Sequence, residues 1–162
     1  MAAVDYFLKI EGVDGESTDA THKGEIELES WSWGEAQHGT HASGGGGGAG
    51  KVQMQDFHFM MNVNKASPKL FLNCATGAHI GNAVLTARKA GKDQQDYLKV
   101  TFSDLLVSSY TTNGDAHANS LPVDSISLNF STIEIEYKQQ NADGSLGASQ
   151  KVKYDLKQMK AG

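Results

Sequence analysis

Residues 25–63 read EIELESWSWGEAQ, then HGTHASGGGGGAG, then KVQMQDFHFMMNV, and this stretch decides the fold. Its centre holds five consecutive glycines, Gly44–Gly48. Glycine loses more backbone freedom on ordering than any other residue, so this run forms neither a helix nor a strand. The flanking segments, Glu25–Gln37 and Lys51–Val63, alternate apolar and polar residues. We therefore predict two long strands joined by a long exposed loop, and such loops in compact domains are usually functional or disordered.

The first of these strands changes its apolar face partway along. Ile26 and Leu28 lie on one face, whereas Trp31 and Trp33 lie on the other. A period of two does not allow this without a bulge or a change of partner layer, so we predict a switch near residues 29–30. The second strand keeps one apolar face, formed by Phe57, Phe59, Met61 and Val63, with Asp56, His58 and Asn62 opposite.

One helix is expected after the second strand. Ser67 is a candidate N-cap, and Pro68 suits the first helical turn, where its missing N–H costs nothing. Gly77 marks the end of the helix, which gives it about three turns. Its apolar stripe consists of Leu70, Phe71, Cys74 and Ala75. A single short helix must pack on a sheet.

The remaining apolar segments are predicted as strands: residues 4–10, 82–89, 96–112, 122–139 and 151–158. Strand 122–139 contains a second face switch at Ser131–Thr132. Before the switch Ile126, Leu128 and Phe130 lie opposite Ser125, Ser127 and Asn129, and after it Ile133, Ile135 and Tyr137 take over the apolar face. The last strand places Val152, Tyr154 and Leu156 inward. About seven strands with two face switches predict a mainly β protein, either a barrel or a sandwich.

Composition narrows the class of protein. The 162 residues have the size of one domain, 1–162, with a substantial core. The net charge of −5 argues against a nucleic-acid partner, because phosphate binding needs a basic face. The single cysteine excludes an internal disulfide. No signal-peptide pattern and no bilayer-length apolar run is present, so we expect synthesis in the cytoplasm without a signal peptide and no membrane insertion.

The glycine run partly matches two phosphate-binding patterns. Gly45 and Gly50-Lys51 satisfy most of the P-loop motif, and Gly45, Gly47 and Gly50 satisfy the dinucleotide motif. However, Val52 stands where the P-loop needs Ser or Thr, and a strand follows where both motifs need a helix. We therefore expect no nucleotide cofactor.

Other candidate sites are equally weak. His38 and His41 lack the further ligands of a structural metal site. Cys74 and His79 suggest a nucleophile and a base, but Cys74 lies on the apolar stripe of the helix and is interpreted as buried. The alternating carboxylates Glu25, Glu27 and Glu29, like Glu134 and Glu136, are interpreted as solvated strand faces. We predict no catalytic, metal or cofactor site.

Ser32 lies between Trp31 and Trp33 and points away from both. The simplest interpretation is two core tryptophans with a surface serine. The alternative is that Ser32 belongs to a polar surface that faces something other than bulk solvent.

Seven short motifs, each weak alone, occur in order along nearly the whole chain: WSWG (31–34), GGGGGAGK (44–51), QDFHF (55–59), SPKLF (67–71), RKAG (88–91), LLVSS (105–109) and LNF (128–130). Together they resemble the haemolysin-coregulated protein (Hcp) family, the tail-tube subunits of bacterial type VI secretion systems. The resemblance implies a small β-barrel of two packed antiparallel sheets, with one flanking helix and an extended Gly-rich loop, that assembles into a hexameric ring. It also implies stacked rings, expulsion by a contractile sheath behind a spike protein, effectors carried in the lumen, and release to the medium.

The resemblance gives expected roles to particular residues. We expect Ser32, Ser125, Ser127 and Asn129 to face the lumen and its cargo. The loop residues Gly44, Gly45, Gly46, Gly47, Gly48 and Gly50 are expected to contact the neighbouring ring, although the sequence leaves a lumen-facing loop open. Trp31, Trp33, Phe57, Phe59, Leu128 and Phe130 are expected in the barrel core. Two other functions stay open: a monomeric β-barrel that binds a sugar, lipid or other ligand, and a glycine-loop nucleotide enzyme.

Overall fold

A computed structural model describes residues 4–37, 51–89 and 94–162. It contains eleven strands and one helix in this part of the chain. The elements are β1 Val4–Ile10, β2 Ile26–Glu27, β3 Ser30–Ser32, β4 Glu35–Gln37, β5 Val52–Met54, β6 Phe57–Asn62, α1 Ser67–Thr76, β7 Ile80–Lys89, β8 Asp96–Asn113, β9 Val123–Gln140, β10 Leu146–Asp155 and β11 Lys160–Ala161. The mainly β fold with antiparallel sheets and one helix is confirmed.

Nine strands form one antiparallel sheet, and β4 pairs with β5 as a separate ribbon. The strand order in the large sheet is β11-β10-β9-β8-β7-β1-β2, and β6 joins it by pairing with both β9 and β3. The strands β8 and β9 have 18 residues each and pair with each other along most of their length. The sheet encloses a single core, to which β1, β6, β7, β8, β9 and α1 all contribute buried side chains.

Residues 25–37, predicted as one strand, form three short strands with three different partners. Strand β2 pairs with β1, β3 with β6, and β4 with β5. The predicted switch near residues 29–30 is confirmed, because the chain leaves β1 for β6 at that point. The single strand is wrong, because each change of partner interrupts the backbone ladder.

The segment 51–63 is likewise divided, into β5 and β6. Phe57, Phe59 and Met61 are fully buried, as the alternation predicts. Val63 does not continue this face. It is 40% exposed and lies beyond the strand, where its N–H donates to the carbonyl of Pro122.

The face switch at Ser131–Thr132 is confirmed. Phe130 and Ile133 are both buried although they lie three residues apart. The paired strand switches at the same level, where Phe102 and Leu105 are both buried around Asp104, which has a φ of 51°. Beyond this bend the strands still contribute Val100, Phe102 and Ile133 to the core. Tyr137 and Val152, both predicted inward, are nevertheless exposed, Val152 by 70%.

The helix occupies the predicted place with a different start. Ala66 is the N-cap, so the prediction of Ser67 is wrong. The Ser67 hydroxyl instead donates to Oδ2 of buried Asp124 at 2.6 Å. Gly77 ends the helix with a φ of 65°, as expected. Phe71, predicted on the packed stripe, is 58% exposed.

Candidate functional site

The strands β3, β6, β9 and β8 present a polar outer face that is open to solvent. Side chains alternate across a strand, so the residues between the core positions all point to this side. We call this surface the polar sheet face and define it by Ser30, Ser32, Asp56, His58, Ser108, Ser125, Ser127 and Asn129. It contains all four residues predicted to face a lumen.

Strand register brings together residues that are far apart in sequence. Ser32 lies opposite His58 in the β3–β6 pair, and His58 lies opposite Ser127 in the β6–β9 pair. Ser127 in turn lies opposite Ser109 of β8. One row of small polar side chains around a histidine therefore crosses four strands.

Hydrogen bonds orient the side chains in this face. The two ring nitrogens of His58 contact two serine hydroxyls, Ser127 Oγ at 3.1 Å from Nδ1 and Ser125 Oγ at 3.0 Å from Nε2. Asp56 accepts from Asn129 Nδ2 at 2.8 Å and from Ser108 Oγ at 2.6 Å. These contacts tie His58 and Asp56 to polar side chains of β9 and β8.

The contact between His58 and Ser127 is a possible base and nucleophile pair, but its surroundings do not suit catalysis. A catalytic histidine is normally oriented by a carboxylate on its second nitrogen. Here that nitrogen contacts the hydroxyl of Ser125, and the nearby carboxylate of Asp56 binds Asn129 and Ser108. The arrangement fits a surface of fixed polarity better than a reacting centre.

The polar sheet face carries little charge. Asp56 is its single carboxylate. Two exposed apolar side chains, those of Met60 and Leu106, lie beside its residues. Such a surface offers many weak polar contacts and no strong electrostatic anchor.

A second polar group lies on the outer side of β1 and β7, where it is buried. Arg88 is 4% exposed and donates to Asp19 Oδ2 at 2.8 Å, while Asp5 Oδ2 lies 3.5 Å from the guanidinium. The hydrogen bond from Arg88 holds the pKa of Asp19 well below its usual range. Arg88 also lies over the ring of Phe7, 4.8 Å from its centroid.

His22 extends this buried group. Its ring stacks on Phe7 with 4.4 Å between centroids. Its nitrogens contact Glu25 Oε2 at 2.8 Å and Asp96 Oδ1 at 3.1 Å. Burial disfavours the charged ring, but the hydrogen bonds to Asp96 and Glu25 outweigh it and raise the pKa of His22. Glu25 is therefore paired and largely buried, which corrects its interpretation as a solvated residue.

The remaining predicted residues have varied positions. Phe57, Phe59, Leu128 and Phe130 are buried, whereas Trp31 and Trp33 are half-buried and pack against the core. Cys74 is partly buried against the same core. His79 is exposed and contacts Asp104 Oδ1 at 2.7 Å. The glycine loop 44–50, His38 and His41 lie outside the described residues.

Sequence reasoning missed the central position of His58 and the role of Asp56. The alternation of QDFHF did place both opposite the core, so part of the signal was present. Within residues 4–37, 51–89 and 94–162, no cluster of three or more His, Cys, Asp or Glu side chains could hold a metal ion. The helix that the structure describes is too short and too polar to cross a membrane.

Comparison with known proteins gives one consistent result. Residues 7–137 match the family model described as type VI secretion system effector, Hcp. The chain is 43% identical over 144 residues to protein hcp1 of Pseudomonas aeruginosa, a match that covers 88% of each chain. The crystal structure of Hcp1 from Salmonella typhimurium superposes with a TM-score of 0.82 at 37% identity, covering 99% of this chain and all of that one. A structure described as a type six secretion system protein gives a TM-score of 0.93 at 28% identity, with the same coverage.

Proposed function

Since the chain belongs to the Hcp family of type VI secretion system proteins, we propose that it is a structural subunit of the secretion tail tube. Six copies form a ring, and rings stack into a conduit that a contractile sheath expels behind a spike protein. Effector proteins travel in the lumen and are stabilised there. The protein itself leaves the cell by this route.

The polar sheet face is the observation that carries this proposal. The wall of a conduit has to contact many cargo surfaces without holding any of them tightly. Small hydroxyl and amide side chains fixed by mutual hydrogen bonds suit that task, because they form weak polar contacts and lose little side-chain freedom. We assign Ser125, Ser127 and Asn129 to the lumen wall on this basis, and Ser32 because it lies opposite His58 on the same face.

The proposal includes no catalytic role for this chain. The matched family is one of type VI secretion system proteins, and the His58 and Ser127 contact has no orienting carboxylate. The expected partners are other copies of the chain, the spike, the sheath and effector proteins. Nucleic acid is not among them, because the net charge is −5.

We assign the Gly-rich segment 44–50 to the contact between stacked rings. Ordering such a segment costs roughly 1–2 kcal/mol per residue, so it opposes stacking of isolated rings. Tube growth is therefore expected to depend on other components of the secretion system.

Quaternary structure tests the proposed function directly. Purified protein is examined by size-exclusion chromatography with light scattering and by negative-stain electron microscopy. The expected result is a ring of about six copies with a central opening, because a ring is the unit from which the conduit is built. A monomer at every concentration would overturn the proposal.

A monomeric ligand-binding barrel is the second candidate, and one cavity favours it. This cavity of about 280 Å³ lies between the β4–β5 ribbon and β10 and is lined mostly by apolar side chains, among them Trp33, Met54, Ile135 and Val152. Its volume is just below the range of about 300–1,000 Å³ that is usual for ligand sites. Monomeric protein that binds a sugar or a lipid there would support this candidate over the first.

A further inference from the structure

Two ends of the branched nine-stranded sheet, other than the one at β3, carry opposite charge. Strand β2 lies at one end of the strand order and β11 at the other. Residues 4–29, which include β1 and β2, contain eight carboxylates and two lysines. Residues 146–162, which form β10 and β11, contain four lysines and one aspartate. The net charge of −5 is thus distributed very unevenly along the sheet.

At the first end, four carboxylates surround a cavity beside β1 and β2. We call this the acidic edge and define it by Asp5, Asp19, Glu27 and Glu29. The cavity has a volume of about 430 Å³, and Val4, Tyr6, Phe7 and Leu28 supply its apolar lining. Arg88 is the cation of this cavity, and its charge is already shared between Asp19 and Asp5. Glu27 and Glu29 therefore leave an excess of negative charge on an exposed surface.

At the other end, the lysines lie on and just after an incompletely covered strand. We call this the basic edge and define it by Lys151, Lys153, Lys157 and Lys160. Lys151 pairs with Glu134 and Lys157 with Asp104, whereas Lys153 and Lys160 have no ion pair within the described residues. Val152, 70% exposed between two of these lysines, adds an apolar contact to the edge.

Both ends also offer backbone groups for strand pairing. Strand β2 pairs with β1 at Phe7 and Leu8. Val4 and Asp5 of β1 pair only with β7 in the described chain. Strand β11 covers β10 at Tyr154 and Asp155, which leaves the outer side of residues 146–152 without a strand partner in the described chain. Open edges of this kind readily pair with another chain.

We propose that the basic edge of one copy binds the acidic edge of the next copy, in a head-to-tail contact that repeats around the ring. The inference rests on the proposed ring assembly and names the two surfaces that build it. Contact between two like edges is repulsive, so the charge pattern favours a heterologous interface over a two-fold one. The exposed Val152 and the apolar lining of the acidic cavity would be covered in this contact.

Two charge-reversal variants test the interface. The first is Glu27→Lys with Glu29→Lys, and the second is Lys153→Glu with Lys160→Glu. Each variant alone places like charges across every contact, so we expect rings to dissociate to monomers. In an equimolar mixture every contact can again join opposite charges, provided that the two variants alternate. We expect the mixture to recover rings with one copy of each variant in every pair, and native mass spectrometry measures this stoichiometry.

A matched control changes the same charge elsewhere. Lys65→Glu with Lys69→Glu alters the net charge as much as the second variant does, at exposed positions at and before the helix start. We expect this control to keep its rings. Circular dichroism and thermal unfolding show whether each variant is folded. If a reversal variant is not folded, the milder Glu27→Gln or Lys153→Gln replaces it.

The outcomes separate this inference from the proposed function. Wild-type protein that is monomeric would overturn the tail-tube proposal itself. Wild-type rings that persist in both reversal variants would overturn the edge-to-edge contact and leave the tube function standing. Rings that are lost in each variant and not restored in the mixture would also overturn it, because the loss would then have another cause.

Discussion

The outer face of β1 and β7 is covered, whereas the outer face of β6 and β9 is open. Residues 12–25 fold over the first face and bury Phe7, Thr86 and Arg88, each less than 5% exposed. The second face, with Ser127 and Asn129, has no such cover in the described chain. Both faces belong to the same sheet and carry polar side chains, so polarity alone does not decide which one is buried.

The difference lies in how the polar groups are satisfied. On the covered face, Arg88 and His22 meet carboxylates of the chain itself. On the open face, Ser125 and Ser127 bond to His58, while Ser30 and Ser32 are exposed. The covered face thus contributes to the stability of the folded chain, while the polar groups of the open face remain accessible to solvent.

Replacing Arg88 should have the largest effect on stability. Arg88→Ala removes the cation from a buried group and leaves Asp19 without its partner, which costs about 3 kcal/mol in the free energy of unfolding. Urea unfolding at pH 7 measures the change. Lys89→Ala is the matched control, since Lys89 is an exposed neighbour on the same strand whose Nζ donates to Gln140 Oε1 at 2.7 Å. We expect the control to cost less than about 1 kcal/mol, and equal losses would contradict the comparison.

Replacing His22 should have a smaller effect that depends on pH. The folded pKa of His22 is raised, so its contribution is complete below the unfolded value of about 6.5 and is lost as the pH rises through the folded pKa. The stability advantage of wild type over His22→Gln should therefore be greater at pH 5.5 than at pH 8.5. Urea unfolding at the two pH values measures it. A proton titration of the His22 ring that centres at or below pH 6.5 would refute the mechanism.

Local alternation predicted the open face well and the covered face poorly. The period of two along β6 and β9 was enough to place Phe57 and Leu128 inward and His58 and Ser127 outward. The contact between Arg88 and Asp19 joins residues 69 positions apart, and no local pattern indicates it. Periodicity shows which side chains share a face, but not whether another segment covers that face.

The same limit explains the wrong predictions. Val152 has the alternation of a core residue, yet it is exposed on β10, which lies next to the end of the sheet. Ser67 has the composition of an N-cap, but its hydroxyl bonds to Asp124, 57 residues away, and that long-range partner decides its role. Both errors arise because the surrounding tertiary structure, and not the local pattern, decides what a side chain contacts.

The open face offers the smallest stability effect and the most specific functional one. Ser32 is exposed on β3, so Ser32→Gln should change the free energy of unfolding by less than about 0.5 kcal/mol and leave rings intact. Because the longer side chain stands in the row with His58 and Ser127, it should reduce binding of effector cargo to the ring. Co-purification of rings with an effector measures this. Thr18→Gln puts the same side chain at an exposed position in the segment 12–25, which covers β1 and β7, and should leave cargo binding unchanged. Undiminished cargo binding by Ser32→Gln would contradict the assignment of the polar sheet face to the lumen wall.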